Sequence, residues 1–355
     1  MGIITALFIL SFLIFFHELG HFTAARFFGV QVDIFSIGFG KKLLTKQIGK
    51  TLWTFSLIPL GGYVKMKGQD DSDPTLISDD DDSYTTKKPW QRIIILLAGP
   101  FSNFLLAFLL YLTIATMGVP TLLPTVGEVN STQPAYRAGV LVGDKITQIN
   151  GTPIHYWKEI GEAIKNAPST LQMTVLREEQ YIKLTVTPEK QKMFNMFKEE
   201  IERKIIGITP DINNTVAVQY NPIESLNYAY EQTKASSLLI VKSIQKLIAG
   251  AVPLDQLGGV VSIVDVTAKA SHVGFIALLF FSALISVNLG VLNLLPIPAL
   301  DGGHILFNLY EMVTKKAPSE EVMYKLTLLG WGILLSMMLI GLYNDITRII
   351  MRMLG

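Results

Sequence analysis

The stretch GIITALFILSFLIFFHELGHFTAA, Gly2 to Ala25, is apolar almost throughout, yet three ionisable side chains, His17, Glu18 and His21, fall within five residues near its end. As a helix it would extend about 36 Å, enough to cross a hydrocarbon layer of about 30 Å. It has no basic leading region and no small-residue cleavage site, and its apolar run continues past 15 residues, so it reads as a retained membrane helix and not a secretory leader. Ionisable groups inside a span are costly, so three together mark a functional site. Two histidines at i and i+4 share one helix face and can hold one zinc ion, with Glu18 beside them to take a proton from water. His17 stands about 22 Å along the helix from Gly2, several ångströms short of the far edge of the hydrocarbon.

Three further apolar runs have spanning length: Ile93 to Met117, Val273 to Leu295 and Leu326 to Ile346. Half of the 355 residues are hydrophobic, only 17% are charged, and the mean hydropathy is +0.40, which is the composition of a membrane protein with a modest soluble part. The formal charge of +1 leaves no basic face for nucleic acid. Cysteine is absent, which excludes disulfides, a thiolate nucleophile and Cys-ligated zinc, so a metal must be held by His, Asp or Glu. No Lys or Arg precedes the first span, whereas ten lie from Arg26 to Arg92. The positive-inside rule then puts the N-terminus outside and that loop in the cytoplasm, and four spans return the C-terminus to the outside.

The expected fold is therefore a polytopic α-helical membrane protein with four transmembrane helices, a membrane-associated β-hairpin and one extracytoplasmic α+β domain. Residues 1–25 form the first span and 26–92 the cytoplasmic hairpin and acidic loop. Residues 93–117 are the second span, 118–210 the external domain and 211–272 an amphipathic juxtamembrane helical region. The third span covers 273–304, a cytoplasmic loop 305–325, and the fourth span with its tail 326–355. In the hairpin, Val30 to Phe39 and Thr51 to Leu57 alternate apolar and polar residues, with Gly38, Gly40, Gly49 and Gly61-Gly62 as breakers. Asp70 to Asp82, with seven aspartates in thirteen residues, reads as a solvated disordered loop.

Catalytic zinc usually keeps three protein ligands and one open position. The third span ends in NLLPIPALDGGH, Asn293 to His304, where Pro296 and Pro298 break the helix and free Asp301 to turn inward. Asp301 is the expected third ligand, and His304, three residues on, is its rival. Asp265 and Asp345 fall near the opposite face on this topology.

HELGH, the LDG at Leu300 to Gly302, GPFSN at Gly99 to Asn103 and AYRAGVLVGDKITQING at Ala135 to Gly151 together resemble the site-2 protease family of intramembrane zinc metalloproteases, peptidase family M50, and most closely its bacterial RseP/RasP group. The likeness covers essentially the whole chain. It implies Zn2+ as cofactor, His17, His21 and Asp301 as ligands and Glu18 as catalytic base, in agreement with the chemical reading. It also implies that the hairpin around Gly38, Phe39 and Gly40 re-enters the membrane and pairs with unwound substrate, and that Asn293 and Asn103 bind substrate. For both asparagines, plain hydrogen bonding between helices is the alternative. The external segment resembles a PDZ domain, with Gly139, Val140 and Leu141 in its carboxylate-binding loop and the helix from Trp157 as groove wall. Implied substrates are single-span membrane proteins already shortened by another protease, such as an anti-sigma factor, or leftover signal peptides, in the bacterial inner membrane. A zinc permease and a catalytically silent scaffold are the rival functions; neither explains Glu18 between two ligands together with an exported PDZ-like domain. Oligomeric state is not legible.

Overall fold

The computed structural model describes residues 2–69, 78–167, 169–197 and 199–354. Residues 70–77 of the acidic stretch lie outside the described residues. The chain opens with α1 (Gly2–Phe27), β1 (Val32–Ile48), β2 (Thr51–Met66) and α2 (Pro89–Met117). There follow β3 (Val119–Leu122), β4 (Val126–Val129), α3 (Pro134–Arg137), β5 (Lys145–Ile149), β6 (Thr152–Pro153) and α4 (Trp157–Asn166). Then come β7 (Leu171–Arg177), β8 (Gln180–Val186), β9 (Glu189–Phe194), β10 (Glu200–Ile205), β11 (Ile208–Pro210) and β12 (Thr215–Val218). Helices α5 (Pro222–Ile248), α6 (Val260–Val273), α7 (Phe275–Asn293), α8 (Asp301–Thr314) and α9 (Glu320–Leu354) complete it. Two compact units result: Met1–Ile114 with Leu226–Gly355, and Ala115–Ser225.

In the first unit α1, α2, α7 and α9 are long and apolar enough to cross a membrane, which is the makeup of an integral membrane protein. Leu10, Leu13, Leu106 and Ile285 make a buried cluster that joins α1, α2 and α7, while Phe8, Phe101 and Leu105 face outward and exposed, as lipid-facing side chains do. Helices α1 and α2 touch through glycines. A Cβ on Gly20 would overlap Ala98 and Ser102, and one on Gly99 would overlap the His21 ring.

Sequence patterning gave one helical region for 211–272; the structure divides it into β12, α5, a short 3-10 turn at Leu254–Gln256 and α6. The reason lies on α9. Asp345 accepts hydrogen bonds from the backbone N–H of Gly259 (3.1 Å) and Ser262 (3.0 Å) and from the Ser262 hydroxyl, so it satisfies the open N-terminal donors of α6. Asn344 Nδ2 donates to the carbonyls of Leu254 (2.7 Å) and Leu257 (3.0 Å).

Strands β1 and β2 are more than a hairpin. Residues Ile34–Ile37 lie beside Lys65–Gly62 on one side and beside Leu52–Phe55 on the other, and Leu44–Ile48 pair with Phe55–Thr51. Both strands bend, β1 where Gly38 (φ +89°) and Gly40 (φ +84°) adopt backbone angles that favour glycine. The two strands thus make four segments, ordered Gly61–Met66, Val32–Ile37, Thr51–Ile58, Lys42–Ile48. Two edges result, one at Gly61–Met66 and one at Lys42–Ile48. Lys67 at the end of the sheet pairs with Asp80 (2.8 Å) and Asp82 (2.7 Å), and its ammonium holds both carboxyls below the usual carboxylate range.

The second unit holds a four-stranded sheet in the order β6-β5-β7-β8, with antiparallel ribbons β9/β10, β4/β11 and β3/β12. Its core includes Val140, Ile146, Ile160, Leu171, Met173 and Val175. Asp144, whose side chain is 0% exposed, takes a two-point ion pair from Arg177 (2.7 and 2.8 Å), which offsets the cost of burying the carboxylate.

Candidate metal centre

His17 and His21 stand one turn apart on α1 with Nε2 atoms 3.2 Å from each other. The α7–α8 connection brings Asp301 to them: His17 Nε2 lies 3.4 Å from Asp301 Oδ2, and His21 Nε2 lies 3.4 Å from Oδ1. Among the described residues this trio is the only His/Cys/Asp/Glu group whose donor atoms converge in this way. Tetrahedral zinc with bonds of about 2.0–2.1 Å to nitrogen and oxygen spaces its ligand atoms about 3.4 Å apart, so the three donors fit that ion. Asp301 Oδ2 is buried without a hydrogen-bond partner, as an oxygen reserved for a cation would be.

Each of the three side chains is held from behind. The turn Leu294–Leu300 closes through Ile297 N to Leu295 O (2.7 Å) and Leu300 N to Ile297 O (2.9 Å), and places Asp301 in the first turn of α8. Gly302 and Gly303 let this turn fold onto the helix, because a Cβ on either would overlap backbone of Leu294–Pro298. His21 Nδ1 lies 2.9 Å from the carbonyl of Ile95 on α2, which fixes Nδ1 as the N–H donor and frees Nε2 for a metal. His17 Nδ1 faces Asn103, at 3.1 Å from Nδ2, while Asn103 Oδ1 is buried without a partner. A half-turn of the amide sets Oδ1 against the ring N–H, the acceptor that a histidine ligating through Nε2 requires.

The structure therefore sets Asn103 against His17. Asn103 is 0% exposed, lies behind His17 outside the lining of the cavity, and its own carbonyl accepts from the Ser286 hydroxyl (2.8 Å). Asn293 does line the cavity, 3.4 Å from His17 Nε2. His304, the rival ligand, packs its ring on Phe307 and stands apart from the trio. Asp265 pairs with Lys269 and Arg352, and Asp345 caps α6.

The cavity over the trio has a volume of about 430 Å³. Glu18 lines it opposite the sheet, where Gly62 comes so close that a Cβ would sit 3.0 Å from Glu18 Cγ. Phe39 lines it and stacks on Tyr63, whereas Gly38 and Gly40 supply the bend beside it. Sequence reading took Gly61-Gly62 only as breakers. The structure puts them, with Tyr63, Val64 and Met66, along the cavity wall, and adds Trp331 and Leu334 of α9. The pair of adjacent glycines was the signal for close backbone approach; nothing in the sequence marked the α9 residues.

In the second unit, Gly139, Val140 and Leu141 do not line the groove beside α4. Their N–H groups are spent internally, on Tyr136 O, Ala135 O and Asp144 Oδ2, and Val140 is fully buried. That leaves no donors for a carboxylate. The groove, about 550 Å³, is instead walled by Trp157, Ile160, Ile164, Arg203, Ile206 and Ile208.

The family model described as Peptidase family M50 matches residues 5–337. A relative from Campylobacter jejuni is 45% identical over 96% of this chain and 92% of its own length. One from Helicobacter pylori is 41% identical over 98% of this chain and 99% of its own. A third, from Clostridium acetobutylicum, is 33% identical over 97% of each. All three carry the provisional name zinc metalloprotease. With HELGH on a membrane-length helix, Asp301 brought to it and a match that runs nearly end to end, the chain belongs to peptidase family M50.

Proposed function

We propose that the protein is a zinc-dependent intramembrane protease that hydrolyses peptide bonds in or near the spans of single-span membrane proteins. The observation that carries this reading is the convergence of His17, His21 and Asp301 on one point, with Glu18 on the wall of the same cavity. A zinc ion held there supplies a Lewis acid for the scissile carbonyl and lowers the pKa of water towards 7. Glu18 takes the proton from the attacking water and delivers it to the leaving amine. Asn293, at the cavity wall, donates its amide to the substrate backbone. The segment Gly61–Met66, at the edge of the sheet and along the cavity wall, is the strand to which a locally unwound substrate adds. This moves the pairing surface from Gly38–Gly40 to the neighbouring edge, with Phe39 as a packing contact.

The positive-inside pattern supports a site near the cytoplasmic face of a bacterial inner membrane, with residues 118–210 exported as a PDZ-like domain that restricts which substrates reach the membrane part. Substrates already trimmed of a bulky external part, such as a membrane-bound anti-sigma factor after a first cut or a leftover signal peptide, fit such a filter.

The test is Glu18→Gln in proteoliposomes with a short single-span substrate. Cleavage should fall by a factor of about 10² to 10⁴ while bound zinc is retained. Undiminished cleavage would refute the role of Glu18; zinc transport lost on the same substitution would favour a permease.

A further inference from the structure

The edge of the sheet remote from the metal centre has a composition that the protease reading does not use. Every residue from Lys41 to Lys50 is exposed, and Leu43, Leu44 and Ile48 are 52%, 70% and 54% exposed. Lysines stand among them at 41, 42, 46 and 50. From Ile34 to Gln69 there is no Asp or Glu. Lys50 has a long contact with Asp82 (3.5 Å), but Lys41, Lys42 and Lys46 have no carboxylate partner among the described residues. Among the described residues Leu44–Ile48 pairs only on its Thr51–Phe55 side, and in that regular run Leu44, Lys46 and Ile48 share one face.

An edge of this kind, apolar and cationic in alternation, would be an aggregation hazard in water. Next to a bilayer it is complementary to the surface: alkyl side chains enter the acyl boundary and ammonium groups meet lipid phosphates. The bilayer is close along the chain, since the sheet begins at Val32, five residues after the membrane-length α1 ends. We infer that the strand segment Lys41–Lys50 is a docking edge for anionic phospholipid headgroups, with Lys41, Lys42 and Lys46 on the phosphates and Leu43, Leu44 and Ile48 in the interface. Its contact with anionic lipid fixes the outer edge of the sheet whose opposite edge, Gly61–Met66, lines the metal cavity.

The natural absence of cysteine gives a clean probe. Leu44→Cys in the full chain is labelled with a fluorophore and placed in nanodiscs of phosphatidylcholine alone, or with one third phosphatidylglycerol, each carrying headgroup-nitroxide lipid. Quenching should be strong with phosphatidylglycerol, weaker without it, and reduced by salt. Replacing Lys41, Lys42 and Lys46 together by Gln should abolish the difference, each lysine contributing roughly five-fold in partition near an anionic surface. Equal quenching in both discs, or no effect of the triple substitution, overturns the headgroup site and leaves only apolar contact. Quenching that appears only after the aspartates of 70–82 are replaced by Ser would show that this acidic stretch, and not lipid, occupies the edge. Neither readout involves peptide cleavage, so the outcome is independent of the protease reading.

Discussion

At the residue scale the centre is defined by what each ligand leans on. Asp301→Ala should lose both bound zinc and cleavage, whereas His304→Ala should keep the metal; metal analysis of the purified variants decides between them. Asn103→Leu removes the side-chain amide set against His17 Nδ1 and should weaken zinc binding by about 10- to 100-fold. Asn103→Asp, which keeps an acceptor, should restore much of it. A change in KM with zinc occupancy intact would instead return Asn103 to substrate binding. The convergence of His17, His21 and Asp301 was legible because HExxH spacing on a helix leaves few alternatives and because a carboxylate beside a broken helix is rare. Asn103 was legible only as a polar residue in a span. Whether it faces substrate or a ligand depends on the rotation of α2 about its axis, which Gly20 and Gly99 determine by close contact.

At the scale of elements, the sheet formed by β1 and β2 carries the sharpest departure from pattern reading. Alternation correctly indicated extended chain, but it could not show that both strands bend and that Ile34–Ile37 is thereby enclosed between two neighbours. Proline there should disrupt the sheet as a whole. At the edge segment Gly61–Met66, proline can be tolerated structurally wherever the lost N–H points away from the sheet. A proline scan of Tyr63 to Lys65 should therefore give an alternating pattern, with cleavage abolished and zinc retained at outward-facing positions. Uniform tolerance in a reconstituted cleavage assay would exclude strand addition at this edge. Helix α6 was hidden for a comparable reason: the carboxylate that starts it, Asp345, is 83 residues away from Ser262. Asp345→Ala should fray α6, and hydrogen exchange at Gly259–Ile263 should accelerate while the metal centre keeps its ion.

At the scale of the whole molecule, four spans and a separate mixed unit were legible from hydropathy and composition, because membrane thickness imposes a length on every crossing helix. The location of the groove in the second unit was not, since it depends on which backbone donors remain unspent once Arg177 and Asp144 have tied down the Gly139–Leu141 loop. Excising Val126 to Pro210 with a short Gly/Ser bridge should preserve cleavage of a substrate that lacks an external domain and should admit an uncut one. Loss of activity on both, in protein shown to be inserted and zinc-loaded, would refute the filter. The pairing of β3 with β12, Val119 opposite Val218 and Leu122 opposite Thr215, makes such surgery plausible. Where the chain leaves for the second unit and where it comes back are neighbours about 5 Å apart. A cargo joined through such a clasp can be enlarged, doubled or exchanged without stretching either leg, so lineages are free to vary the inserted unit while inheriting the membrane part unchanged.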